Sequence, residues 1–282
     1  MRTLASAFFA LAALALTGGA LTAAWTESRL VDEQGFVDLA GPLAKDTEFQ
    51  QALTGALAGE VSRGAGLSGP LQNLVRPAIE NAASSVTRMS GYPRAWEETL
   101  RISHRLTLSR APSDPGAQNP AVVSLDLKPL AGLLSQQVGT GLGFNVPVPS
   151  NTTVEVGRLE RGGALSLVSR IAQLWPALAW GAGTCAVLAL ALARKRSTTL
   201  ALLGAGGAGL GVLGWLGAGL IPDAAAGAAG SSAVARIFVR GFAGRVSADL
   251  AEASLPVLAG GAMVLAVGVA LRFTFGRRRS MR

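Results

Sequence analysis

The chain has 282 residues; half are hydrophobic, 15% are charged and 36 are glycine. A mean hydropathy of +0.40 is too apolar for an ordinary soluble domain and excludes a disordered chain. The formal charge of +8 would by itself suggest a nucleic-acid partner, so the placement of the cations decides what they mean.

Four stretches carry no Asp, Glu, Lys, Arg or His over about the 20 residues that a bilayer requires: 3–24, 171–193, 197–222 and 253–271. The first transmembrane helix, 3–24, follows Arg2 and is read as a signal anchor. Its apolar run is long for a cleaved signal peptide, and Thr22-Ala23-Ala24 is a weak processing site.

Residues 25–170 then form a segment large enough for its own core. Asp46 stands where it caps a helix in which Phe49, Leu53, Leu57 and Val61 recur every four residues. A second helical run holds Leu71, Leu74, Val75, Ile79, Ala82, Val86 and Met89, with Pro77 as a candidate kink. A third starts near Pro93, a favoured first-turn residue, and carries Trp96, Leu100 and Leu108 on one stripe. Residues 111–120, with Pro112, Pro115, Gly116 and Pro120, read as a loop.

Beyond it the period changes. Val123, Leu125 and Leu127 alternate with Ser124 and Asp126 as a half-buried strand. Leu130, Leu133, Leu134 and Val138 return to helical spacing, which the glycines of 139–143 end. Val154 and Val156, alternating with Thr153 and Glu155, give a second strand. Two strands alone are marginal, so the sheet must lean on the helices.

Leu165, Val168 and Ile171 carry helical periodicity into a second span, 171–193. A basic cytoplasmic loop, 194–198, leads to the glycine-rich third span, 199–221. Residues 222–253 form a loop with an amphipathic helix, on which Val234, Phe238, Phe242, Val246 and Leu250 repeat at i, i+4. The fourth span, 254–272, ends in a basic tail, 273–282.

The charges now fall into place. Residues 25–172 hold 13 basic and 14 acidic side chains, and 222–254 hold three of each. The surplus is Arg2, Arg194, Lys195, Arg196, Arg272, Arg277, Arg278, Arg279 and Arg282. All nine lie on one side of a four-span layout, as the positive-inside bias requires. The expected fold class is therefore a mainly α membrane protein with four transmembrane helices, N-in and C-in. An extracytoplasmic, mostly helical α+β domain lies between spans 1 and 2. Arg outnumbers Lys by 22 to 3, a usage typical of high-GC bacteria, so the expected location is a bacterial plasma membrane. The basic tail reads as a topology anchor meeting anionic headgroups, and nucleic acid is not an expected partner.

Candidate functional residues are few. In span three, Gly204-x-Gly206-x-x-Gly209 matches a dinucleotide-binding pattern, but that pattern needs a preceding strand and a soluble helix. Gly207, Gly211, Gly214 and Ala218 instead form a small-residue ridge. It serves either packing against the other three spans or a seam for a homo- or hetero-oligomer. Ile237, Phe238 and Phe242 either bury their stripe against the chain itself or the membrane, or present a docking face to another envelope protein. Trp25, Trp175, Trp180 and Trp215 suit an interfacial belt.

The only histidine, His104, shares a helical stripe with Trp96 and Leu100, which suits a core or boundary residue better than a catalytic base. One His and the lone Cys185 cannot make a zinc site. No Ser-x-x-Lys, nucleophile elbow or Walker motif occurs. No catalytic, metal or cofactor residues are thus expected, and the spans hold no ionisable group of the kind a proton or ion path needs. The expected role is non-enzymatic: interaction or scaffolding in the envelope, with the lipid bilayer and another membrane or envelope protein as partners. The alternatives are a transport or mechanotransmission subunit and an outer-face enzyme that uses His104.

Three runs carry a resemblance: Gly35-Phe36-Val37-Asp38-Leu39-Ala40-Gly41-Pro42-Leu43-Ala44-Lys45-Asp46, Ala95-Trp96-Glu97-Glu98-Thr99-Leu100-Arg101-Ile102-Ser103-His104 and Val123-Ser124-Leu125-Asp126-Leu127. In these the chain resembles a family of uncharacterised actinobacterial integral membrane proteins with one anchor, an outer domain and three clustered spans. The resemblance covers the layout of roughly residues 1–215 and implies topology and lineage, with no chemistry attached. In topology alone the chain is also similar to MacB- and FtsX-like permease subunits, which work with a cytoplasmic ATPase. Its cytoplasmic loop, Arg194-Lys195-Arg196-Ser197, is shorter than theirs.

Overall fold

The computed structural model describes residues 2–64, 77, 81, 85–110, 121–142, 152–159, 163–227 and 233–277. Of the sequence expectations, Leu71, Leu74, Val75, Ile79, Ala82, the loop 111–120, Gly143 and the tail 278–282 lie outside the described residues. The described chain is mostly helical, and four of its helices are long and apolar enough to cross a membrane. It divides into a span unit (residues 1–28, 168–221 and 246–282) and a core unit (29–167 and 222–245).

The span unit begins with α1, Arg2–Thr26. Helix α6, Gly163–Gln173, leads to α7, Trp175–Leu192. Helix α8 covers Arg196–Ala218, and α10 covers Ala233–Arg277.

Two features differ from the sequence expectation. The helical pattern does not run unbroken into span two: the amide of Leu174 bonds back to the Ile171 carbonyl in a tight turn, and Pro176 opens α7. Proline favours a first turn, where its missing N–H costs nothing. The amphipathic helix of 222–253 and the fourth span are a single 45-residue helix with Pro256 inside. Sequence reasoning separates them because their hydrophobic patterns differ, yet the backbone needs no break where a one-faced stripe gives way to an all-round apolar one.

Helices α1 and α7 pack closely. The buried Ser6 hydroxyl donates to the Ala189 carbonyl at 2.8 Å, and Gly181 lies under Leu16. Helices α8 and α10 approach more closely still. A Cβ at Gly204 would overlap the backbone of Val264 and Leu265, and one at Gly261 would overlap that of Gly207 and Ala208. At Gly211 it would sit 2.5 Å from the Leu258 amide nitrogen. Only glycine admits this backbone approach.

The core unit holds α2, Glu33–Ala40, a 3-10 turn, Gly41–Lys45, and α3, Thr47–Gly64. Then follow α4, Tyr92–Arg110, β1, Ala121–Asp126, α5, Lys128–Leu142, and β2, Thr153–Leu159. The short α9, Ile221–Ala226, and the first turns of α10 complete it.

Side-chain caps set the helix starts. Asp32 accepts from the Gly35 amide at 2.8 Å and opens α2; Asp46 accepts from the Phe49 amide at 2.9 Å and opens α3. The strands pair antiparallel, Leu125 opposite Val154, with an irregularity between Val123 and Ser124. Asp126 ties down the end of this strand pair, accepting from the Lys128 amide and the Thr152 hydroxyl.

One hydrophobic core joins these elements. It includes Phe49, Leu53 and Leu57 of α3, Trp96 and Leu100 of α4, Leu125 of β1, Leu130 and Leu134 of α5, and Val156 of β2. Phe49 meets Trp96 edge-on at 5.0 Å between ring centroids, and Phe238 of α10 lies 6.1 Å from Phe49. The two-stranded sheet is stabilised by this packing, as its size demands.

Candidate functional site

A cleft of about 470 Å³ lies in the core unit, within the range of small-ligand sites. Its position follows from local chain chemistry. Pro42 turns the chain from α2 into the 3-10 turn, which carries Ala44 and Lys45 to one wall. Opposite, successive tight turns lead into α4: Arg88 bonds back to Ser85, Met89 to Val86, and Tyr92 to Met89. These turns set the Tyr92 side chain into the core, 3% exposed, while it still lines the cleft.

Most polar groups around the cleft already have partners. The Gln50 amide donates to the Ala44 carbonyl at 2.6 Å, and the Trp96 indole to the Ala40 carbonyl at 3.4 Å. Asp38 accepts from Gln34 at 2.8 Å, and Glu97 pairs with Arg101 at 3.5 Å. The buried Tyr92 hydroxyl has no hydrogen-bond partner. Burial pushes its phenol up to about 12, so it stays a neutral O–H donor at physiological pH. Lys45 is exposed at the rim, without an ion-pair partner among the described residues.

The sequence-derived candidates lie elsewhere. His104 is 7% exposed and outside the cleft. Its Nε2 is 2.9 Å from the Leu30 carbonyl, and its ring packs on Phe36 at 5.0 Å. Neighbouring Ser103 donates to the Thr99 carbonyl and accepts from the Asp126 amide, so its hydroxyl is committed to the fold. Among the described residues no three His, Cys, Asp or Glu side chains cluster as metal ligands.

The candidate docking face is turned inward. Phe238 belongs to the core, with Ile237 and Phe242 packed against it. Phe238 and Phe242 stack 5.7 Å apart, so this stripe is satisfied by the chain itself and not left free. The glycine ridge also faces its own chain. Gly207 opposes Gly261, Gly211 opposes Leu258, Gly214 opposes Ser254, and Ala218 is fully buried.

A second cavity, of about 380 Å³, lies inside the span unit between α1, α8 and α10. Near it the Trp25 indole donates to the Asp249 carboxylate at 2.8 Å. Its lining is apolar except for Thr22 and Ser254, whose hydroxyls bond to carbonyls of their own helices.

Sequence reasoning missed the Tyr92 cleft. The signal was present in part, because Asp38, Gly41, Pro42 and Lys45 belong to one of the three runs that carry the resemblance, and Trp96 and Glu97 to another. No family model, curated protein or solved structure matches the chain.

Proposed function

We propose that the chain is a multi-pass protein of a bacterial plasma membrane, both termini cytoplasmic, whose core unit faces outside and binds another envelope protein. The role is that of a binding or scaffolding module, not an enzyme. The observation that carries the binding reading is the cleft, lined both by Tyr92, whose buried hydroxyl lacks a partner, and by the exposed Lys45. Native structures rarely leave such a group unsatisfied. The orientation rests on the nine surplus cations at the loop and tails. The resemblance to actinobacterial one-anchor, three-span proteins supports the same layout.

A photo-crosslinking residue placed at Pro93, on the cleft rim, tests this in native membranes, with Gln137 on the exposed side of α5 as control. The expected result is a discrete adduct from position 93 that is absent from position 137. No adduct at 93, or equal adducts at both, would contradict it. A second reading, a transport or mechanotransmission subunit, draws support from the MacB- and FtsX-like span layout. It requires a cytoplasmic ATPase to co-purify with the chain.

A further inference from the structure

From Val168 onward α6 belongs to the span unit, although it precedes the second apolar helix. Over its last turns the residues withdrawn from solvent are small: Ala172 is buried and Ser169 half-buried. The large apolar residues point the other way, and Val168, Ile171, Leu174 and Trp175 are all between 41% and 54% exposed. Val168 and Ile171 share one helix face, spaced i, i+3, and Leu174 and Trp175 follow at the junction with α7. At about 3.6 residues per turn the exposed Gln173 comes to the far side. In water a helix gains by hiding its large apolar side chains; this one hides alanine and serine and displays valine and isoleucine. A contiguous face of that kind marks a surface that something apolar covers.

The helix that follows says what covers it. Helix α7 has 18 residues, about 27 Å at about 1.5 Å per residue, slightly less than the roughly 30 Å hydrocarbon core of a bilayer. With α7 across the bilayer, its first residue, Trp175, stands at the boundary, where tryptophan is favoured. Ile171 and Val168 then lie within about 6 and 11 Å of that boundary along the chain. The exposed Trp180 and Val187 of α7 meet lipid, and the face of α6 is continuous with theirs.

We propose that α6 is an interfacial anchor, its Val168–Ile171 face sunk with Leu174 and Trp175 into the headgroup boundary of the bilayer that α7 crosses. This rests on the membrane reading above and adds a lipid surface as the partner of a segment that precedes the span. Such an anchor fixes the depth of a span that is short for its bilayer.

The test uses nitroxide-labelled single cysteines in a Cys185→Ala background, with the full chain reconstituted in phosphatidylcholine vesicles. Oxygen, which partitions into lipid, and a nickel chelate, which stays in water, report where each label lies. Val168→Cys and Ile171→Cys probe the face, Gln173→Cys its far side and Val187→Cys the flank of α7. All four sites are exposed, so the melting temperature should stay that of the parent chain. Labels at 168 and 171 should favour oxygen and lie about 5–10 Å into the headgroup boundary. The label at 187 should lie deeper, and the label at 173 should favour nickel.

Oxygen at 187 with nickel at 168 and 171 would overturn the anchor and keep the membrane reading. Nickel at all four positions would overturn both. Exclusion of both probes from 168 and 171, relieved when the protein is diluted with lipid, would mean that a second copy covers the face, and would overturn the anchor. Oxygen at 173 as well as at 168 and 171 would make α6 a submerged part of the span, which also contradicts it.

Discussion

The two units of this chain are packed on opposite rules. In the core unit the largest side chains are the most hidden: Trp96 is 1% exposed, and Phe49, Leu53 and Leu100 are as deeply buried. In the span unit the hidden residues are small, among them Ser6, Ala13, Ala20, Ala189 and Ala218. Its large ones point away, with Phe8 67%, Trp180 79% and Met263 70% exposed. A chain surrounded by water gains by removing large apolar surface from it. Helices surrounded by lipid gain nothing that way and associate by close backbone approach and interhelical hydrogen bonds. The inversion within one sequence supports the proposed membrane reading independently of hydropathy.

The inversion can be broken most severely at its tryptophans. Trp96→Ala should cost the core unit about 3–5 kcal/mol, whereas Trp180→Ala should change the stability of the purified chain by less than about 0.5 kcal/mol. Thermal or denaturant melts in detergent compare the two, and equal losses would deny the inversion.

A smaller effect concerns pH. The Tyr92 phenol is pushed up to about 12 by burial, from 10.0, so above pH 10 the unfolded chain releases this proton while the folded one keeps it. Folding stability should fall between pH 10 and 12 by about 2–3 kcal/mol. Tyr92→Phe should flatten that part of the profile, and an unchanged slope in the variant would refute the assignment.

Next come two adjacent glycines. Gly261→Val puts a side chain into the backbone of α8, whereas nothing lies within 4 Å of a Cβ at Gly260. The first should cost about 1–3 kcal/mol or more and the second little, in the same melts. The smallest contrast is between hydroxyls. Ser6→Ala loses the bond to Ala189 and should cost about 0.6 kcal/mol. Thr22→Ala loses only a bond within its own helix and should cost less.

Much of this arrangement was legible in the residues. The absence of charge over four long stretches gave the four apolar helices. The spacing of Phe49, Leu53 and Leu57, and of Trp96 and Leu100, marked the faces that meet in the core. Alternation at Val123–Leu127 and Thr153–Val156 marked both strands, although not that they pair with each other, because register depends on contacts remote in sequence. The break at Leu174 and the union of the amphipathic helix with span four were hidden for a similar reason. Proline at 176 and at 256 looks alike in sequence, yet one opens a helix and the other sits inside one. The Tyr92 cleft was illegible because it is a property of packing. A tyrosine whose hydroxyl lacks a partner is known only once every neighbour is in place.

The most direct test of the central claim, a membrane protein with its core unit outside, is labelling of whole cells with an impermeant maleimide. In a Cys185→Ala background, Arg94→Cys places a thiol on the exposed side of α4 and Lys195→Cys places one in the basic loop. Arg94→Cys should label in intact cells, and Lys195→Cys only after the membrane is permeabilised. Labelling of Lys195→Cys in intact cells with Arg94→Cys protected would contradict the orientation, and labelling of both or neither would contradict the membrane reading itself.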